Sequence, residues 1–295
     1  MDLISLRKAL ETEKYIFDEE FLITVHIALK LGKPLLIEGA AGAGKTEVAK
    51  VLASVFGADL IRLQCYEGLD ESKALYEWNY QKQLLRIQLG YKKGDNPHDE
   101  SKGLEDLYTE DFLLERPLLK AINRKERSVL LIDEIDKTDE EFEAFLLEVL
   151  SDFQVSIPEL GTLKSKNTPI VVLTSNNSRQ LSDALKRRCA YLFIDFPSVD
   201  KEFAIIQARM PGVPEMLAQQ VAHAVHSLRE NKNINKKPSI AETLDWMAAL
   251  TALDKKRLDE DGIDKTLGFV LKNREDIVEF QTGGGSHELL AKKRN

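Results

Sequence analysis

Gly39-Ala40-Ala41-Gly42-Ala43-Gly44-Lys45-Thr46 decides the fold class. These residues fit the pattern GxxxxGK[ST]. They stand between a short apolar run, Pro34 to Glu38, and a segment with Val48, Val51, Leu52 and Val55 at helical spacing. Strand, glycine-rich loop and helix in that order are the context in which the pattern has a mechanism. The glycines let the backbone curl until successive amides point at phosphate oxygens, and the helix N-terminus adds partial positive charge. Lys45 is then expected to reach the β- and γ-phosphates. Thr46 is expected to offer its hydroxyl to Mg²⁺, an ion that keeps several waters and takes few protein ligands. Glu47, next in the chain, completes the nucleotide-binding stretch, and ATP with Mg²⁺ is the expected cofactor pair.

Further buried-strand candidates lie at Leu60 to Gln64, Ser128 to Ile132, Pro169 to Thr174 and Tyr191 to Phe196. The segments between them are long enough for crossover connections, so five strands predict a parallel sheet covered by helices, an α/β fold. The third strand runs directly into Asp133-Glu134, which places a carboxylate pair toward the nucleotide. Asp133 is expected to hold magnesium through its water shell, and Glu134 to orient and deprotonate the attacking water. The fourth strand ends in Thr174-Ser175-Asn176-Asn177, at the strand edge where open α/β sheets bind ligands. Asn176 there suits a water-positioning or γ-phosphate-sensing role, although Asn and Ser also favour plain turns. Leu181 to Cys189 reads as a short helix whose last turn carries Arg187 and Arg188. Arginine near a transferring phosphoryl group stabilises transition-state charge, but it is also favourable at any helix C-terminus.

Thr138 and Glu141 predict a capping box for a helix bearing Phe142, Phe145, Leu146, Val149, Leu150 and Phe153 on one apolar face. Gln154 to Ile157 and the short run after Gly161 predict a hairpin projecting from the sheet. Tyr91 to Gly103 predicts an exposed polar insertion. After Pro197 the pattern is helical only, which divides the chain into an α/β domain (1–197), a helical domain (198–280) and a glycine-led flexible tail (281–295).

Composition sets the limits. The chain has 295 residues, 43% hydrophobic and 31% charged, without an apolar run near the roughly 20 residues that span a bilayer. Met1 to Lys14 lacks the pattern of a signal peptide, so a cytoplasmic location is expected. Cys65 and Cys189 are far apart and outside any CxxC spacing, as expected of buried, reduced thiols. His223 and His226 share a helix without other ligand types nearby, and a structural role is expected for both. Tyr66, Glu67, Tyr76, Trp78 and Tyr80 fit either a partner-facing patch or ordinary packing, with packing favoured. A formal charge of −8 makes nucleic acid an unfavoured partner.

These elements, in this order, resemble the AAA+ ATPases and within them the MoxR family, over nearly the whole chain. Leu63-Gln64-Cys65-Tyr66-Glu67-Gly68-Leu69-Asp70, Ala74 to Tyr80 and Pro238 to Trp246 are most similar to the CoxD-like branch. The resemblance implies a five-stranded sheet in order 5-1-4-3-2, a helical lid and Asn176 as sensor 1. It also implies Arg188 or Arg187 as a finger into a neighbouring subunit, and hence a homo-oligomeric ring, hexameric by expectation. It further implies a partner with a von Willebrand factor A domain, and ATP-driven maturation of a metalloenzyme client similar to carbon monoxide dehydrogenase. The hairpin near Gln154 to Lys166 resembles an insertion that contacts client protein. One departure is clear: where many AAA+ lids carry a sensor 2 arginine, Pro238 to Thr243 supplies Ala241 and Glu242. Two rivals remain at this point, a nucleic-acid motor and a monomeric small-molecule kinase, and the paired arginines speak against the second.

Overall fold

The computed structural model describes residues 1–91 and 107–291, so most of the insertion expected at Tyr91 to Gly103 lies outside the described residues. Among the described residues there are nine strands: β1 (Leu35–Glu38), β2 (Asp59–Gln64), β3 (Tyr76–Trp78), β4 (Leu113–Glu115), β5 (Ser128–Asp133), β6 (Gln154–Ile157), β7 (Gly161–Lys164), β8 (Ile170–Ser175) and β9 (Ala190–Phe193). Five of them form one sheet in the order β2-β5-β8-β1-β9. Counted among those five in chain order, this is 5-1-4-3-2 read from the other edge, as expected. β2 pairs with β5, β5 with β8 and β8 with β1, all parallel. Every residue of β1 and β5 is buried, which is why both read as continuous apolar runs.

Contacts divide the chain into two compact units, Glu20–Glu38 with Thr46–Leu192, and Met1–Glu19 with Gly39–Lys45 and Phe193–Asn295. In the first, Leu36, Leu130, Ile132, Val171 and Leu173 from the sheet meet Leu118, Leu119, Phe142 and Leu146 from helices in one core. Each fully buried side chain of this kind contributes roughly 1.5–3 kcal/mol. β6 and β7 form the expected antiparallel hairpin. β3 and β4, too short to stand out in the sequence, pair in a separate antiparallel ribbon. Trp78 is buried and Tyr76 packs on the core, whereas Tyr66 and Tyr80 are exposed, so the aromatic group divides between packing and surface.

Two expectations are corrected. The helix Glu140–Asp152 is capped by Asp139, whose side chain accepts from the Phe142 amide, and not by Thr138. The Thr138 hydroxyl instead donates to the Ile135 carbonyl in the preceding 3₁₀ turn, so Glu141 has no capping-box partner there. Residues 281–291, the described part of the expected 281–295 tail, are also not free. Gly285–Ala291 is helical, the Ser286 hydroxyl donates to Asp264, and Leu289 joins the apolar core of the second unit. Glycine composition signalled a linker, but Leu289 and Leu290 gain enough burial to order it; residues 292–295 lie outside the described set.

That second core is helical, built from Val199–Arg209, Glu215–Glu230, Ile240–Ala252, Glu260–Val270 and Arg274–Thr282 around Trp246, Met247 and Leu250. Among the described residues no helix is long and apolar enough to cross a membrane.

Candidate functional site

Gly39 follows β1 directly, with φ +152°, and a Cβ there would lie 1.9 Å from the Ile194 carbonyl oxygen. Glycine is therefore required on both steric and conformational grounds. Gly42 has φ +79°, and Gly44 has φ +93° just before the helix Lys45–Phe56. Left-handed turns between right-handed residues curl the loop into a cradle suited to an anion at a helix start. Ala40 and Ala43 close the turn through the Ala43 amide and Ala40 carbonyl at 3.2 Å, and Ala41 lies exposed on it. Lys45 is buried, and its Nζ donates to the Gly39 and Ala40 carbonyls at 2.9 and 2.8 Å. Glu47, one turn in, pairs with Lys50 at 3.2 Å.

In the sheet-bearing unit, Asp133 ends β5 and is 3% exposed. Its Oδ1 accepts the Thr46 hydroxyl at 3.1 Å and the Thr174 hydroxyl at 2.6 Å. Its Oδ2 accepts Arg62 Nε at 3.1 Å and Nη2 at 2.5 Å. A hydroxyl and a carboxylate, both hard oxygen donors and already within hydrogen-bond distance, fit a magnesium ion that draws most of its shell from water and phosphate. Among the described residues no group of three or more His, Cys, Asp or Glu offers a closed metal cage.

Glu134 has φ 60° and ψ 49°, a left-handed conformation that costs a non-glycine residue on the order of 1–3 kcal/mol. Its amide donates to the Thr174 hydroxyl at 2.9 Å, which turns the side chain out at the C-terminal edge of the sheet. There Oε1 accepts Asn176 Nδ2 at 3.3 Å, and Oε2 accepts Gln64 Nε2 at 2.9 Å and pairs with Lys137 at 2.5 Å. The hydrogen bond to Glu134 raises the Lys137 pKa, so the ammonium is held charged. The expected pair, Glu134 and Asn176, is thus in contact.

Arg187 and Arg188 are exposed on the helix Asp183–Arg188, immediately before β9. The Ala190 amide bonds the Pro34 carbonyl at the start of β1, at the opposite edge of the sheet from Ser175 and Asp133, and Arg188 Nη1 reaches the Leu147 carbonyl at 3.4 Å. The two arginines are therefore not brought to the Glu134 site of their own chain.

Arg62 and Gln64 escaped the reading of the sequence as site residues. Their signal was present in the alternation of β2: they sit two apart on one face, and the register sets Gln64 opposite Asp133. Cys65 and Cys189 are buried free thiols, each pushed up to about 12 by burial. His226 pairs with Glu230 and belongs to no metal cluster among the described residues.

Residues 34–189 match the AAA domain family, dynein-related subfamily. The chain belongs to that family. It carries the ATPase domain of the AAA+ class, which uses ATP with Mg²⁺. Over 151 residues it is 29% identical to the chaperone protein ClpB of Bacillus anthracis, covering 50% of this chain and 14% of ClpB. Over 226 residues it is 28% identical to the uncharacterized protein YojN of Bacillus subtilis (strain 168), covering 74% of this chain and 61% of YojN. The chain thus spans less than two thirds of the length of either relative. The Thermotoga maritima RuvB Holliday junction branch migration motor superposes with a TM-score of 0.47 at 17% identity, covering 90% of this chain and 72% of RuvB.

Proposed function

We propose that this AAA+ ATPase is of MoxR type, closest to the CoxD-like branch. In this reading it remodels a client protein during metal-cofactor maturation of a carbon monoxide dehydrogenase-like molybdoenzyme. It works as a homo-oligomeric ring, hexameric by the family resemblance, together with a protein carrying a von Willebrand factor A domain, in the cytoplasm.

The observation that carries the chemistry is the Glu134 carboxylate beside Asn176 and Gln64, one residue from the Asp133–Thr46 contact. Gly39 to Lys45 wraps the phosphates with its amides, and Lys45 exchanges loop carbonyls for β- and γ-phosphate oxygens. Thr46 would hold a magnesium ion by its hydroxyl and Asp133 through the ion's water shell, and the ion would neutralise charge on the phosphate oxygens. Asn176 orients the attacking water, and Glu134 accepts its proton as the water oxygen bonds to the γ-phosphorus and the bond to the β-phosphate oxygen breaks. ADP and phosphate leave. Gln64 and Lys137 fix the Glu134 carboxylate until the water competes for it. Arg187 and Arg188, exposed and remote from their own site, are delivered to the nucleotide of a neighbouring copy.

Two features favour client remodelling: the likeness to a chaperone protein over half of this chain, and the β6–β7 hairpin inserted between the helix after Glu134 and β8. The net charge of −8 disfavours nucleic acid as the substrate.

The test is ATP turnover by wild type and Glu134→Gln, with oligomer mass recorded in the same samples. Each is also assayed with the apo-molybdoenzyme plus its von Willebrand factor A partner, and separately with DNA. The amide retains the geometry but cannot take a proton, so turnover falls about 10²- to 10⁴-fold with ATP still bound in an assembled ring. Stimulation by the client and partner supports the reading. Stimulation by DNA alone, or unchanged turnover by a monomeric Glu134→Gln, refutes it.

A further inference from the structure

Asn176 to Ser182 joins the end of β8 to the helix that carries Arg187 and Arg188. Side chains from the β5 end and from the Glu140–Asp152 helix clamp this segment along its length. Asn176 bonds Glu134 at 3.3 Å. Two residues on, Asp136 Oδ2 accepts the Ser178 amide at 2.9 Å and its hydroxyl at 2.5 Å. Glu143 then takes both remaining grips: Oε1 accepts Arg179 Nη2, and Oε2 accepts the Ser182 amide at 2.9 Å. Ser182 is the N-cap of the arginine-bearing helix, its hydroxyl oxygen accepting the Leu185 amide at 3.3 Å.

Glu143 is 1% exposed, on a helix whose other inward positions are Phe142, Leu146, Val149 and Leu150. An apolar residue would be the ordinary occupant, because taking a carboxylate out of water costs several kcal/mol and a buried ion pair only offsets that when its geometry is fully satisfied. What the carboxylate provides that an apolar residue cannot is two charge-assisted bonds, to Arg179 and to the start of the next helix. With Asp136 fixing the middle of the segment, a displacement at Asn176 is passed to Ser182 instead of being absorbed by a slack loop.

We propose that Glu143, with Arg179, is a positioning residue that couples Asn176 to the placement of Arg187 and Arg188. Through it the nucleotide state of one site sets the arginines offered to the next copy. The proposal rests on the reading that these arginines act in a neighbouring subunit.

The experiment is a mutant cycle on the full-length chain: wild type, Glu143→Gln, Arg188→Ala and the double variant. Turnover, KM and oligomer mass are recorded together, and ATP affinity is measured with a fluorescent analogue. Glu143→Gln is expected to lower kcat by about tenfold or more with KM and ATP affinity unchanged, and the double variant is expected to be no slower than Arg188→Ala alone. A purely structural role predicts losses that multiply independently, or weaker ATP binding, and either result overturns the assignment of Glu143. Full turnover by Arg188→Ala in a confirmed oligomer, or no oligomer at all, overturns the intersubunit reading and the proposal with it. The pair Glu143→Met with Arg179→Met removes the clamp without burying a lone charge. It must reproduce the kcat loss with a cooperative melt; a well-folded pair with wild-type turnover refutes the coupling.

Discussion

Replacing Ile240 by proline isolates one contact between the phosphate loop and the helical residues that follow it. Ile240 is the first residue of the helix Ile240–Ala252, and its amide donates to the Gly42 carbonyl at 3.2 Å. The helix start is independently secured by a capping box, with Ser239 Oγ accepting the Glu242 amide at 3.1 Å and Glu242 Oε2 accepting the Ser239 amide at 2.7 Å. Proline is well tolerated at a first helical position, where its fixed φ suits the helix. The residue before it must be extended, and Ser239 already is, at φ −79° and ψ 170°. The substitution removes one N–H, and the ring Cδ that takes its place faces the Gly42 carbonyl oxygen, so the loop must shift to relieve that clash as well as lose the bond. The lost hydrogen bond alone is worth about 0.5–1.5 kcal/mol net, so ATP is expected to bind at least roughly two- to thirteenfold more weakly if the bond pre-organises the loop, with the displaced carbonyl adding to the loss. Equilibrium titration with a fluorescent ATP analogue reads this directly. Ile240→Val serves as the control, because it keeps the amide and removes only the methyl group lying over Gly44. Wild-type affinity in the proline variant, or an equal loss in the valine variant, refutes the reasoning. The contact has particular interest because Ala241 and Glu242 stand where a lid arginine was sought in the sequence.

Other outcomes follow from burial. Arg229 and Glu202 form a bidentate pair whose side chains are 6% and 2% exposed, with Thr243 also donating to Glu202 at 2.6 Å. Glu202→Ala leaves the buried guanidinium without its carboxylate, with the Pro238 carbonyl and the Phe196 ring still facing it, and is expected to cost about 3–5 kcal/mol, whereas Glu202→Leu with Arg229→Met is expected to cost much less; thermal melts of the three chains decide between them. Burial holds the Cys65 and Cys189 thiols up at about 12. Neither forms appreciable thiolate at pH 8, so iodoacetamide is expected to label both only in denaturant, as read by intact mass.

The parts legible in the sequence were those in which local pattern and fold agree. The loop from Gly39 to Thr46, the apolar run into Asp133 and the helix starting near Thr138 each carry their own signal, and strand order followed from family resemblance. What escaped was set by register. Nothing local marks Arg62 or Gln64 as site residues, because their role depends on β2 lying beside β5 with Gln64 opposite Asp133. Asp139 displaced Thr138 as the cap because the 3₁₀ turn of Ile135–Lys137 captured the threonine hydroxyl first. Composition misled at the C-terminus for a related reason: glycines at 283–285 describe the freedom of the unfolded chain, while the burial of Leu289 decides the folded one.

The placement of the carboxylates argues for the site without recourse to the motifs. Asp133, Glu134 and Asp136 stand at or just past the end of β5 and Glu143 lies in the first turn of the helix that follows, and three of the four are almost wholly buried. Like charges this close raise one another's energy, and each carboxylate also forfeits hydration. Stability alone selects against such a cluster, since well-packed apolar side chains would do as well or better. It persists because each member has a separate partner from elsewhere in the chain: Arg62 for Asp133, Lys137 with Gln64 and Asn176 for Glu134, Ser178 for Asp136, and Arg179 with the Ser182 amide for Glu143. For Asp136 burial raises the carboxyl pKa, but the Ser178 hydroxyl and amide outweigh it and hold the group below the usual carboxylate range. Negative charge is thereby kept at the C-terminal edge of the sheet. A hydroxyl held 3.1 Å from one of those carboxylates, as Thr46 is from Asp133, makes chemical sense where a hard cation would meet that charge and poor sense as packing.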